Sequence, residues 1–237
     1  RVEQEIKLQR PFLSANDRSR WLAVRALVEQ GTFAIDGLMD RHVWNTIDMV
    51  KHPGPDGEPH LYSSKPPLLI TLVAMEYWAI HQVTGMTFDT HPYLLGRLML
   101  ITINVLPLVL MFVLVAKMAE RWGTTDWGRI FIVTCATFGT FLSTFVVVLN
   151  NHIVAAVSAT VALFAWSCIR GTENRSSGYF ALAGLAGAFT AANELPALAL
   201  LALLTWDLFW VDRRRWLASF VPSAAIVVIA FFFTYYA

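Results

Sequence analysis

The chain has 237 residues, 56% hydrophobic and 15% charged, with a mean hydropathy of +0.52. A soluble globular domain carries about 25% charged residues, so the composition excludes that class and marks a membrane protein. The net charge of +1 and the single dense basic run, Arg213–Arg215, give no footing for nucleic acid. Cys135 and Cys168 both fall in apolar segments, which argues against a disulfide framework, and no CxxC pair or His/Cys cluster offers a zinc site.

In chain order, NDRSRWLAVRALVEQG (16–31) predicts an amphipathic helix over 16–30, with Asn16 as N-cap and Gly31 as its stop. That spacing sets Asp17 and Arg20 one turn apart at the end of the apolar face. The following stretch, to residue 64, reads as loop with weak strand signals and a turn at GPDGEPH. It holds His42, His52 and His60 with Asp48 and Asp56. Their spacing is irregular, so solvated loop residues are expected in preference to a metal site.

Next comes YSSKPPLLITLVAMEYWAIHQVTG (62–85). Pro66 suits a first helical turn. Glu76, His81, Gln82, Tyr77 and Trp78 favour headgroup depth, so a helix over 66–84 is expected to lie in the interface. The rival is a marginal span with Glu76 buried at a cost. Six candidate spans then follow, at about 97–116, 128–149, 153–169, 178–193, 195–210 and 216–236; against the ~20 residues a crossing needs, the third to fifth are short but admissible with small-residue packing. Gly178, Gly184 and Gly187 suit close helix approach. Asn104, Pro107 and Pro222 inside spans require neighbours to satisfy the freed backbone groups.

Lys/Arg-rich short loops stay cytoplasmic. Lys117, Arg121 and Arg129, then Arg170 and Arg175, then Arg213–Arg215 mark alternate connections; the turns at 150–152 and 193–196 carry no Lys or Arg. Region 1–95 and both uncharged turns are therefore expected outside, and 96–237 in the membrane. The chain opens on Arg1 and stops within an apolar run, so the expectation is a fragment lacking an N-terminal helix and a C-terminal region.

An acidic residue opening a helix, then VRALVEQGTFAIDG, then YSSKPPLL before a polytopic region, resembles the GT-C membrane glycosyltransferases. The likeness is in particular to the group containing protein O-mannosyltransferases and the bacterial lipid A aminoarabinose transferases. The layout covers nearly the whole chain, but NDRSRW and KPPL carry the likeness. It implies an all-α polytopic fold, with an extracytoplasmic loop of juxtamembrane helices before a transmembrane bundle. It also implies a multi-pass enzyme of the cell (inner) membrane that moves a sugar from a polyprenyl-phosphate donor to a lipid, glycan or protein hydroxyl outside. Asp17 matches the catalytic acid, Lys65 the lysine that pairs with the lipid phosphate, and Arg20 a basic residue near that phosphate.

Arg18 stands where many members carry a second carboxylate, which weakens the case for a metal bridging two acids; a divalent metal stays open as a cofactor. Asn150, Asn151 and His152 replace an often acidic loop, and Asn193-Glu194 replaces a Lys-Gly, making Asn150, Asn151, His152 and Glu194 candidate site lining. Each residue also has a plainer role. Asp17 supports a helix N-terminus, Lys65 is an interfacial anchor, Arg20 pairs with Asp17, and the asparagines cap helices. Two rival functions stay open: a transporter or flippase for an amphiphilic solute, and a non-catalytic protein of GT-C-like fold.

Overall fold

The computed structural model describes residues 12, 14–39, 44–171 and 176–236; residues 1–11, His42 and Arg175 lie outside them. The chain is a mostly helical membrane protein, with one small sheet among the described residues, in two compact units: Arg1–Ile103 with Val147–Asn150, and Asn104–Val146 with Asn151–Ala237.

In the first unit, α1 spans Ala15–Glu29. Its N-cap is Ser14, whose Oγ accepts the Asp17 N–H at 3.0 Å, so the expectation for Asn16 is corrected: Asn16 sits inside the first turn. Gln30 closes the helix and Gly31 turns the chain away at φ 69°, a conformation that favours glycine. The amphipathic reading is also corrected, because every residue from Asp17 to Ala26 is buried. A helix buried all round, charges included, must be enclosed by partners that satisfy those charges.

The enclosure begins with rings. Phe12 stacks on Trp21 at 5.3 Å, Trp21 meets Phe88 at 5.2 Å, and Phe88 meets Tyr77 at 4.7 Å. Each such pair adds about 0.5–1.5 kcal/mol beyond the area it buries. A one-turn helix, α2 (Asp36–Met39), precedes a hairpin of β1 (Met49–Pro53) and β2 (Pro59–Ser63). The weak strand signals are thus real strands, in register from Met49↔Ser63 to Pro53↔Pro59. Facing prolines end the ladder because neither has an N–H to give. The expected turn follows, with the Gly54 N–H donating to Glu58 C=O at 2.7 Å.

Helix α3 (Pro67–Thr84) has 18 residues, starts after Pro66 and stops at Gly85. It packs on α1, with Leu68, Leu69, Ile70, Val73, Ala74 and Tyr77 buried, while Leu72, Met75, Trp78 and Val83 stay exposed. It is therefore apolar on two sides. Helix α4 (Pro92–Leu100) runs through a π-turn (Ile101–Val105) into α5 (Leu106–Trp122).

The second unit continues with α6 (Asp126–Phe138), α7 (Leu142–Phe145), α8 (Asn151–Arg170) and α9 (Ser177–Asn193). A 3-10 turn (Leu195–Ala197) leads into α10 (Leu198–Val211). After it come α11 (Arg213–Arg215), a second π-turn (Trp216–Phe220) and α12 (Val221–Tyr236). Each of the six expected apolar segments is helical over most of its length, and among the described residues four stretches combine the length and apolarity of a span: Pro92–Trp122, Asp126–Phe145, Asn151–Arg170 and Arg213–Tyr236. The remaining two expected spans are shorter helices. Helix α9 has 17 residues, a rise of ~25 Å against a hydrocarbon core of ~30 Å, and Leu195–Val211 is a shorter apolar helix too.

The expected span to 149 also ends early. Gly139 caps α6 through its N–H to Cys135 C=O at 2.9 Å, and past Phe145 the backbone is non-helical to Asn150. Both in-span prolines follow a π-turn by two residues, Pro107 after Ile101–Val105 and Pro222 after Trp216–Phe220. Proline removes one donor from the helical ladder, and a π-turn next to it shifts the local bonding pattern. Asn104, fully buried, donates from Nδ2 to Val146 C=O at 3.0 Å. At Gly184 a Cβ would overlap the Phe220 backbone, so α9 and the second π-turn meet at backbone distance as the glycine expectation requires. Gly178 has no such constraint, its nearest neighbour being Ser176 Oγ at 3.5 Å.

Candidate functional site

The first turn of α1 presents Asp17 at 2% exposure. Its Oδ1 accepts the Leu149 N–H at 2.8 Å. The C=O of the same residue accepts Arg20 Nη1 at 3.2 Å, and Arg20 also reaches Asn16 C=O. One helical turn thus grips both polar groups of one peptide residue, which the non-helical segment after α7 leaves without helical partners.

Burial pushes the Asp17 carboxyl up to about 6, because desolvation disfavours its charge. The Leu149 N–H opposes that rise most. The Trp21 indole, near the carboxylate without a well-aligned hydrogen bond, and the Arg20 and Arg18 cations oppose it less. The result is a carboxyl that gains and loses a proton near neutrality, the range a general base needs.

Arg18 is buried and holds the chain rather than a ligand: Nη1 donates to Phe12 C=O at 2.7 Å and Nε to Asn45 C=O at 2.9 Å. Lys65 is already paired, its Nζ 3.1 Å from Asp48 Oδ2, with side chains 23% and 15% exposed. Ser64 Oγ donates to the other Asp48 oxygen at 2.5 Å, and Ser19 Oγ to the Asp48 C=O at 2.6 Å. Sequence reasoning named Asp48 only as a loop acid. The signal that finds it is strand register, which needs the hairpin first.

A second polar group was also missed. Arg25, 1% exposed, donates through Nε to Glu29 at 2.8 Å, lies 2.5 Å from Asp89, and stands 5.3 Å over the Trp44 ring. Tyr77 OH donates to Glu29 at 2.8 Å. Glu76 of α3 accepts from Thr102 Oγ1, and desolvation raises its carboxyl above the usual range. On the hairpin, His60 lies 3.1 Å from Asp36 Oδ2 through Nδ1 and 2.9 Å from Asp56 Oδ2 through Nε2. Its two nitrogens face different acids, so they do not converge on one ion. Among the described residues no group of three His, Cys, Asp or Glu is set to hold a metal.

Asn150, in the first unit, donates to Val148 C=O at 2.8 Å. In the second unit, Asn151 Nδ2 lies 3.4 Å from Asn193 Oδ1, and His152 Nδ1 lies 2.6 Å from Glu194 Oε1. These are consecutive rungs joining the start of α8 to the end of α9. Below them, Thr190 donates to Ser158 at 2.9 Å. Further along, Trp166 donates to Asp207 at 2.8 Å, an acid inside an apolar helix that sequence reasoning passed over.

Comparison with known protein families, curated proteins and solved structures finds no match to the chain. Fold and site together define a mostly helical membrane protein whose first unit buries a near-neutral acid.

Proposed function

We propose that the chain is part of a membrane glycosyltransferase of GT-C type, one that moves a sugar from a polyprenyl phosphate to an extracytoplasmic hydroxyl with inversion. The observation that carries this reading is Asp17: a buried carboxyl in the first turn of α1, held near 6. In the step, Asp17 takes the acceptor O–H proton as that oxygen bonds to the anomeric carbon. The bond from that carbon to the phosphate oxygen breaks, and its electron pair leaves with the polyprenyl phosphate. Lys65 stabilises the departing charge, while Arg20 orients the Asp17 turn through Leu149. At 2% exposure, Asp17 meets an acceptor only when its cover opens.

The non-catalytic reading has its own support, since Asp17 and Lys65 both have partners within the chain. Transfer of labelled sugar by the full-length protein in proteoliposomes decides between them. Asp17→Asn abolishes transfer if Asp17 is the base. Wild-type turnover by that variant removes the proposal.

A further inference from the structure

Lys65 and Asp48 meet because of hairpin register. Met49 pairs with Ser63, so one more step of the same register sets Asp48 opposite Ser64 and beside Lys65. The carboxylate then divides its oxygens: Oδ1 takes the Ser64 hydroxyl at 2.5 Å and Oδ2 faces Lys65 Nζ at 3.1 Å. The Ser64 bond already fixes Asp48 to the end of β2. Thr46 Oγ1 accepts the Asp48 N–H at 3.1 Å, and Ser19 binds its C=O. Holding the strands together therefore does not depend on the lysine.

Lys65 also stands two residues before α3, whose N-terminus has no side-chain cap. Neither Pro66 nor Pro67 has an N–H to contribute there. The positive end of the α3 dipole thus begins two residues along the chain from Lys65, and the Lys65 ammonium itself is paired with a carboxylate of the chain. At 23% and 15% exposure this pair is less screened than a surface ion pair, so its attraction outweighs that of a fully solvated one.

We propose that Asp48 guards Lys65: a phosphate monoester reaches the lysine only by displacing the Asp48 carboxylate, which lowers affinity for every phosphate ligand. This rests on the reading of Lys65 as a phosphate-binding residue. A carboxylate left beside the incoming dianion repels it, so removing the Asp48 charge strengthens binding.

The test measures affinity of the full-length protein in detergent for dodecyl phosphate and for inorganic phosphate, by calorimetry. Asp48→Asn, which keeps the shape and the Ser64 bond, binds dodecyl phosphate about tenfold tighter than wild type, within the range of ordinary coupling between sites. The gain disappears when Lys65→Ala is added. An equal gain for inorganic phosphate assigns the effect to the phosphate group alone, and a gain confined to dodecyl phosphate assigns it to a lipid headgroup. Asp48→Ser gives the same sign and covers the case of a poorly folded Asn variant. If Lys65→Ala weakens wild-type binding while neither Asp48 variant strengthens it, the guard is overturned and the Lys65 reading stands. If Lys65→Ala leaves wild-type affinity unchanged, the Lys65 reading falls and takes the guard with it.

Discussion

The first unit buries Asp17, Arg18, Arg20 and Arg25 on one helix, whereas the buried polar side chains described in the second unit are all neutral: Asn104, Asn151, Ser158, Thr160, Ser167, Thr190 and Asn193. Buried charge is expensive, and it persists only where partners and geometry offset the lost hydration. Neutral hydroxyls are satisfied inside their own helix, as Ser158 is by Val154 C=O at 2.8 Å and Thr160 by Ala156 C=O at 2.8 Å. The second unit is thus built for close packing. The first unit holds buried charges, one of which, Asp17, has its carboxyl raised by burial.

The contrast breaks most visibly at Arg25. Arg25→Met removes the pairs with Glu29 and Asp89, whose side chains are 23% and 42% exposed, and it should cost about 3 kcal/mol, the low end for deleting one partner of a buried pair because water reaches both acids. Chemical denaturation followed by tryptophan fluorescence measures it. A loss under 1 kcal/mol would show that the charges of α1 are better solvated than their burial implies.

Asp17→Asn should act in the opposite direction. The folded value of about 6 lies above the ordinary aspartate value of 3.8, so the folded chain holds the extra proton. The Asp17 contribution to stability is fully present below pH 3.8 and declines as pH rises toward 6. At neutral pH the variant therefore gains up to about 3 kcal/mol, and the dependence of stability on pH between those values flattens. Denaturation at a series of pH values checks both outcomes.

In the second unit, Gly184→Ala pushes a methyl into the Phe220 backbone and should cost about 1–3 kcal/mol. Gly178→Ala meets only Ser176 Oγ at 3.5 Å and should be near neutral. Equal effects in thermal unfolding would mean that α9 and the second π-turn do not approach so closely.

The smallest effect is on the hairpin. Its bond to Asp56 raises His60 above 6.5, and its bond to His60 lowers Asp56 below 3.8. The His60 contribution is present below pH 6.5 and lost as pH rises through its folded value. The Asp56 contribution is present above pH 3.8 and lost as pH falls through its own. Protection of the Gly54 amide from hydrogen exchange should therefore peak between these limits, and His60→Gln should remove the alkaline decline.

Much of the second unit was legible in the sequence, because apolar runs and small residues encode packing locally. Gly184 was identifiable as a point of close approach, and Pro107 and Pro222 as positions in need of local repair. Span lengths were less legible: Gly139 and the bend after Phe145 shorten one run, and only geometry separates a helix of 17 residues from a full crossing. In the first unit the periodicity of 16–31 suggested a polar face, yet carbonyls of Phe12, Asn45, Asp48 and Leu149 bind its Arg18, Ser19 and Arg20 side chains and bury them. Ser14 took the cap from Asn16 because its hydroxyl reaches the Asp17 N–H. Asp48 and Leu149, the partners of Lys65 and Asp17, are set by pairing across 17 and 132 residues, which no local pattern reveals.

The most direct measurement is the pH–rate profile of sugar transfer by the full-length protein in proteoliposomes. A base ionising near 6 gives turnover that climbs through about pH 6 and levels above it, with no such limb in Asp17→Asn. A rate independent of pH across that interval, or unchanged by the substitution, would contradict the account.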